Sequence, residues 1–213
     1  MTLRRPSRTD IEDISRRYHL RLTESEVDDY FDIVKGVMDG YDALDQYPDP
    51  IREVTPAVRV PGARPSREDD PLNGIVRHCS VQAVDPNGPL AGKRIGIKDT
   101  VCVAGIPTTC ASRLLYDYVP DVDATIVRRI IEAGGHITAM LNTCDFAFSG
   151  GGHTSTYGPG LNPRNPEHVA GGSSCGSAIA PATGLVDIAI GGDQGGSIRM
   201  PASWSAIVGL TQT

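Results

Sequence analysis

Three short segments of this chain hold residue types that can do chemistry. The first is "GGDQGGSIRMPAS", residues 191–203, in which Ser197 follows four glycines and Asp193. Glycine gives up much backbone entropy on folding and is tolerated where the chain turns sharply or approaches something closely. The segment therefore reads either as a tight turn or as a cradle of backbone N–H groups around a reactive hydroxyl. Consecutive N–H groups of Gln194, Gly195, Gly196 and Ser197 can converge on one point, which is what stabilising a developing oxyanion requires. The second segment is "AGGSSCGSA", residues 170–178, with Ser173 and Ser174 between glycines. It reads as a flexible loop or a helix N-cap, and a phosphate-binding loop is conceivable. The phosphate-loop and dinucleotide glycine patterns are both absent. The third is "RIGIKDT", residues 94–100, where Lys98 closes an apolar strand and precedes Asp99. Such a lysine either faces water or is desolvated, and burial would lower its pKa and free an amine to act as a base.

A serine hydroxyl needs a base to become a nucleophile. The histidines (His19, His78, His136, His153 and His168) sit in no motif with Ser197. The pattern therefore favours a Ser–Lys solution, with a second serine bridging Lys98 and Ser197.

Together these segments resemble the amidase signature family. The resemblance rests on "GIKDT", "AGGSSCGSA" and "VDIAIGGDQGGSIRMPAS", in that order. It implies Lys98 as base, Ser173 as a bridging serine in a cis peptide, and Ser197 as the acyl-forming nucleophile. The N–H groups of Gln194, Gly195, Gly196 and Ser197 become the oxyanion hole, with Ser174, Asp193 and Arg199 as supporting residues. The implied reaction is hydrolysis of a small-molecule carboxylic amide to acid and ammonia, with no cofactor and no metal. The wording looks most like the nitrile-pathway and broad-specificity amidases, and less like the tRNA-dependent amidotransferase subunits. Cys175 stands where the family has glycine, so its Cβ is expected to crowd the loop if that position needs positive φ. Family members are considerably longer. The chain is therefore expected to be the N-terminal part of such a domain. The alternatives are an amidotransferase-like subunit and an inactive or partner-dependent fragment. The expected partner is a second copy, giving a homodimer, or a missing C-terminal half. Tyr157, in "TSTYGPG", is a candidate for the near wall of the pocket.

The elements that must position these residues alternate. "DATIVRRIIEAGG" reads as a helix with apolar positions Ile126, Val127, Ile130 and Ile131, closed by Gly134 and Gly135, and "HITAMLN" as the strand after it. "VDIAIGGD" reads as a buried strand, and "GSIRMPASWSAIVGL" as turning into another. Strands alternating with helices imply an α/β fold with a mixed sheet core flanked by helices, C-terminally incomplete, with an N-terminal helical extension. Residues 1–47 are expected to form that extension, with Thr9 and Asp10 capping a first helix. "TESE" from Thr23 is a capping box before a second helix ending at Gly40. Residues 48–74 hold six prolines and many charges, which predicts an extended linker with little regular structure. Residues 75–213 form the main domain.

The formal net charge of −6 in 213 residues argues against a nucleic-acid partner. No apolar run approaches the ~18 residues of a membrane span, and the N-terminus lacks a signal-peptide core. The five cysteines are scattered without a CxxC pair, as expected of reduced thiols in a cytoplasmic protein.

Overall fold

The computed structural model describes residues 4–48 and 53–212. The chain divides into two compact units, Met1–Ile51 and Arg52–Thr213.

The first unit is a helical pair, α1 (Arg8–Arg17) and α2 (Glu24–Leu44). α1 is capped by Ser7 rather than by Thr9 or Asp10. Asp10 is instead the third helical residue, and its carboxylate reaches back to the Ser7 N–H at 2.7 Å. The predicted box at α2 is present, with the Glu26 N–H on Thr23 Oγ1 and the Thr23 N–H on Glu26. α2 runs through Gly40 to Leu44 instead of stopping there. Gly40 does not adopt positive φ, so no left-handed residue closes the helix at that point. Ile11 and Val27 are the buried apolar residues of the pair.

The second unit is built on a five-stranded mixed sheet. Its strands are β1 (Val58–Val60), β2 (Ile75–Gln82), β3 (Arg94–Lys98), β4 (His136–Leu141) and β5 (Ile188–Ile190), in the order β1-β2-β4-β3-β5. β1–β2 and β2–β4 are antiparallel, while β3 runs parallel to both β4 and β5. Three helices accompany it: α3 (Thr125–Glu132), α4 (Cys175–Ala182) and α5 (Arg199–Ser205). Val127, Ile130 and Ile131 of α3 pack with Ile95, Ile97, Ile137 and Met140. Ala180 of α4 packs with Ile75, Ala139 and Leu141. Ile137 and Met140 can share a cluster because the β3–β4 register skips Thr138, pairing Ile95 with Ile137 and Gly96 with Ala139. That bulge shifts the period-2 alternation by one residue. Gly96 is required here, since a Cβ would lie 2.5 Å from Leu141.

Three expectations are corrected. Residues 58–60, inside the predicted linker, form β1 and pair with β2 from Val58↔Gln82 to Val60↔Ser80. Arg59 forms an ion pair with Asp123 at 2.6 Å, and Asp70 accepts the Gly74 and Ile75 N–H groups where β2 begins. The prolines flank these contacts instead of interrupting them. β5 is not the buried strand its apolar run suggests: Ile188 is 39% exposed, because among the described residues β5 pairs only with β3 and lies at the sheet edge. The segment after Ser197 is a helix, α5, closed by Ala206 in the left-handed region, and not a strand. Among the described residues no helix is long and apolar enough to cross a membrane.

Candidate active site

Lys98 is the last residue of β3. Because β3, β4 and β5 are parallel, their carboxyl ends open on one side, where α/β sheets place ligand sites. Lys98 is 1% exposed, and its Nζ donates to Ser173 Oγ at 2.7 Å. Among the described residues no carboxylate pairs with it. Burial pushes its pKa from 10.5 down to about 8, because a charged ammonium here loses hydration that no counter-ion replaces. Gly192 leaves room beside it, since a Cβ there would sit 3.9 Å from Nζ.

Ser173 is fully buried, and the peptide Gly172–Ser173 is cis. The Cys144 N–H donates to the Ser173 carbonyl at 3.1 Å, and the Gly172 N–H to Gly150 at 2.7 Å. Ser174 lies next to it and ties two loops together. Its N–H donates to the Ser197 carbonyl at 3.2 Å. Its hydroxyl donates to the Gly192 carbonyl and accepts from the Gly192 N–H. Cys175 opens α4, without positive φ, so it does not crowd the loop. Its thiol is wholly buried against Gly160, where a Cβ would come 3.0 Å from Sγ. Burial pushes that thiol up to about 12. All five cysteines are free.

Asp193 organises the third loop. Its side chain is 4% exposed. Oδ1 accepts the Gly196 N–H at 2.6 Å, and Oδ2 accepts the Ile198 and Arg199 N–H groups. The Arg199 guanidinium closes a two-point pair, Nε on Oδ2 and Nη2 on Oδ1, each at 3.1 Å. That guanidinium, aided by the three N–H groups and opposed by burial, holds the carboxyl well below the usual range.

The Gly196 N–H, expected in the oxyanion hole, is thereby engaged and faces Asp193. The N–H groups of Gln194, Gly195 and Ser197 have no acceptor among the described residues, and a Cβ at Gly195 would meet nothing within 4 Å. The Ser197 hydroxyl also makes no hydrogen bond among the described residues. The structure thus joins Lys98 to Ser173, and the two serine loops through Ser174, but not Ser173 Oγ to Ser197 Oγ.

Two further buried polar residues, to which the sequence reading assigned no role, tie the surrounding loops together. Asp99 is fully buried, and its carboxylate accepts the Thr109 and Ala111 N–H groups, each at 3.2 Å, and the Thr109 hydroxyl. Burial pushes this carboxyl up to about 6, against those hydrogen bonds. Asn142, directly after β4, donates to the Asn73 and Gly158 carbonyls and accepts from Ser155 Oγ at 2.7 Å. The signal for it was a polar Asn-Thr pair at the end of an apolar strand. Tyr157 donates its hydroxyl to Thr109 Oγ1 at 3.1 Å.

A family model described as Amidase matches residues 77–213. Among curated proteins, the chain is 49% identical over 125 residues to a glutamyl-tRNA(Gln) amidotransferase subunit from Synechococcus sp., covering 59% of this chain and 26% of that protein. It is 48% identical over 136 residues to the corresponding subunit from Sulfurisphaera tokodaii, covering 64% and 29%. Among solved structures, the corresponding subunit from Thermotoga maritima superposes with TM-score 0.60 at 37% identity, over 64% of this chain and 30% of that one. The structure of a 6-aminohexanoate cyclic dimer hydrolase with its substrate superposes with TM-score 0.54 at 34% identity, over 55% and 25%. The match spans roughly a quarter to a third of these relatives' length. The lean in the sequence towards nitrile-pathway amidases runs against the identities to the amidotransferase subunits.

Proposed function

The chain belongs to the Amidase family, and from that premise we propose that it carries the acyl-transfer half of an amide-cleaving site. The observation that supports this most is the 2.7 Å contact of a buried, unpaired Lys98 with the buried Ser173. At a pKa of about 8, roughly a tenth of Lys98 is neutral at pH 7. Neutral Nζ takes the Ser173 proton while Ser173 Oγ takes that of Ser197. Ser197 Oγ then attacks the amide carbonyl. The N–H groups of Gln194, Gly195 and Ser197, which have no acceptor among the described residues, would receive the oxyanion. On collapse the relay returns the proton to the departing ammonia, and water releases the acid from the acyl-serine. The proton path requires Ser173 Oγ and Ser197 Oγ to close to hydrogen-bond distance when substrate enters.

A second reading is favoured by the 48–49% identities: the same chemistry inside an amidotransferase subunit, with the ammonia passing to a partner chain. In either reading, polypeptide beyond these residues completes the pocket, in keeping with the quarter to third of the relatives that is matched. A cytoplasmic location is part of the same proposal.

The test is intact-mass labelling with a fluorophosphonate, which reports an activated serine without knowledge of the substrate. One adduct, absent from Ser197→Ala and Lys98→Ala, is expected. A folded wild-type chain that takes no adduct, or takes it equally in Ser197→Ala, would overturn the assignment. Ammonia release only when a second chain is added would select the amidotransferase reading.

A further inference from the structure

A cleft of about 630 Å³ is lined by Arg64, Arg113, Tyr116, Thr156 and Tyr157, none of them in the serine loops. Its lining has two cations, two phenol rings and a hydroxyl, and no carboxylate, although the chain as a whole carries a net charge of −6. Arg64 is fixed in place. Its guanidinium lies 4.4 Å over the Tyr157 ring, Nη2 donates to Asn73 Oδ1 at 2.8 Å, and Nη1 donates to the Ile75 carbonyl. Tyr157 is held in turn through its hydroxyl on Thr109. Arg113, the Tyr116 hydroxyl and the Thr156 hydroxyl are not engaged in this way. Among the described residues none of them has a hydrogen-bond or ion-pair partner.

We propose that this cleft binds a small aromatic carboxylate. A planar ring matches the Tyr116 ring and the edge of the stacked Arg64–Tyr157 pair. The carboxylate would take the free Arg113 fork, whose geometry suits two-point recognition of that group, with the Thr156 hydroxyl as a further donor. A compact inorganic anion would use the charge but leave the Tyr116 ring uncovered. The proposal does not rest on the amide chemistry, since none of the five residues belongs to the serine loops.

The experiment is a calorimetric or NMR titration of the protein with benzoate and inorganic phosphate, and of Ser197→Ala, which cannot form the acyl-enzyme, with benzoate and benzamide. Saturable benzoate binding is expected, with benzamide about tenfold weaker, because it lacks the charge that makes the Arg113 contact strong. Arg113→Ala, at an exposed position in a short 3-10 turn (Arg113–Leu115) where folding is checked by circular dichroism, should weaken benzoate about tenfold. Ser197→Ala should leave it unchanged. No saturation by benzoate, phosphate binding as tightly as benzoate, benzoate affinity indifferent to Arg113→Ala, or loss of binding in Ser197→Ala would each overturn the proposal.

Discussion

Replacing Lys98 by methionine should make the protein more stable at neutral pH and less stable in alkali. Methionine keeps the length and apolar stem of the side chain but carries no amine. In the wild type the gap between the ordinary 10.5 and about 8 corresponds to roughly 3 kcal/mol of folding free energy, at ~1.4 kcal/mol per pH unit. The direction follows from proton binding. Between pH 8 and 10.5 the unfolded chain still holds a proton that the folded chain has released, so stability rises with pH across that window. Below pH 8 the penalty is present in full, and above 10.5 it is gone. The variant escapes the penalty at every pH but loses the hydrogen bond to Ser173, a loss of about 1 kcal/mol. Lys98→Met should therefore gain about 2 kcal/mol at pH 7 and trail the wild type by about 1 kcal/mol near pH 10.5. Urea unfolding of both proteins at a series of pH values reads this directly. A difference of constant size and sign from pH 7 to 10.5 would refute the argument, because it would mean that Lys98 is not desolvated in the fold. Serine labelling of the wild type should also rise with pH, with its midpoint near 8 and a plateau above it, and it should be absent from the variant.

Two further outcomes follow from single contacts. Asp193→Asn turns one carboxylate oxygen into a donor facing the N–H groups it now receives, so the loop bearing Ser197 should shift. Fluorophosphonate labelling should slow about a hundredfold while circular dichroism stays unchanged; equal labelling rates would show that Asp193 does not position that loop. Arg59→Ala leaves Asp123, whose side chain is fully buried, without its counter-charge, and should lower unfolding stability by about 3 kcal/mol; a loss under ~1 kcal/mol would mean that water reaches Asp123.

The parts of this molecule that can be read from sequence are those fixed by near neighbours. The capping box at Thr23, the α3 stripe (Val127, Ile130 and Ile131, with Ile126 left 40% exposed) and the strand ending in Lys98 each depend on spacings of a few residues. The linker reading failed because Arg59 meets its partner sixty-four residues away at Asp123, and local composition carries no trace of that pairing. α5 was missed for a related reason. What starts it is the Asp193 carboxylate, which takes the Ile198 and Arg199 N–H groups from five and six residues back, beyond the usual capping distance. In the site, residue types pointed to Lys98 and the serines. Sequence could not show which N–H groups remain free, because that depends on Asp193 choosing Gly196. The roles of Asn142 and Asp99 as hubs of the surrounding loops emerge only once segments distant in sequence are brought together.

The lacing through Ser174 has a consequence for how the site breathes. One residue grips the Ser197 carbonyl with its backbone and the Gly192 peptide with its side chain, so the two serine loops cannot open separately. In hydrogen exchange the Ser174 and Gly192 amides should behave as one opening unit, with a common protection factor, rather than as two loops fluctuating at their own rates. A ligand that orders either loop then slows exchange in both. The site is thus either assembled or open as a whole, with little population in which only one serine is in place.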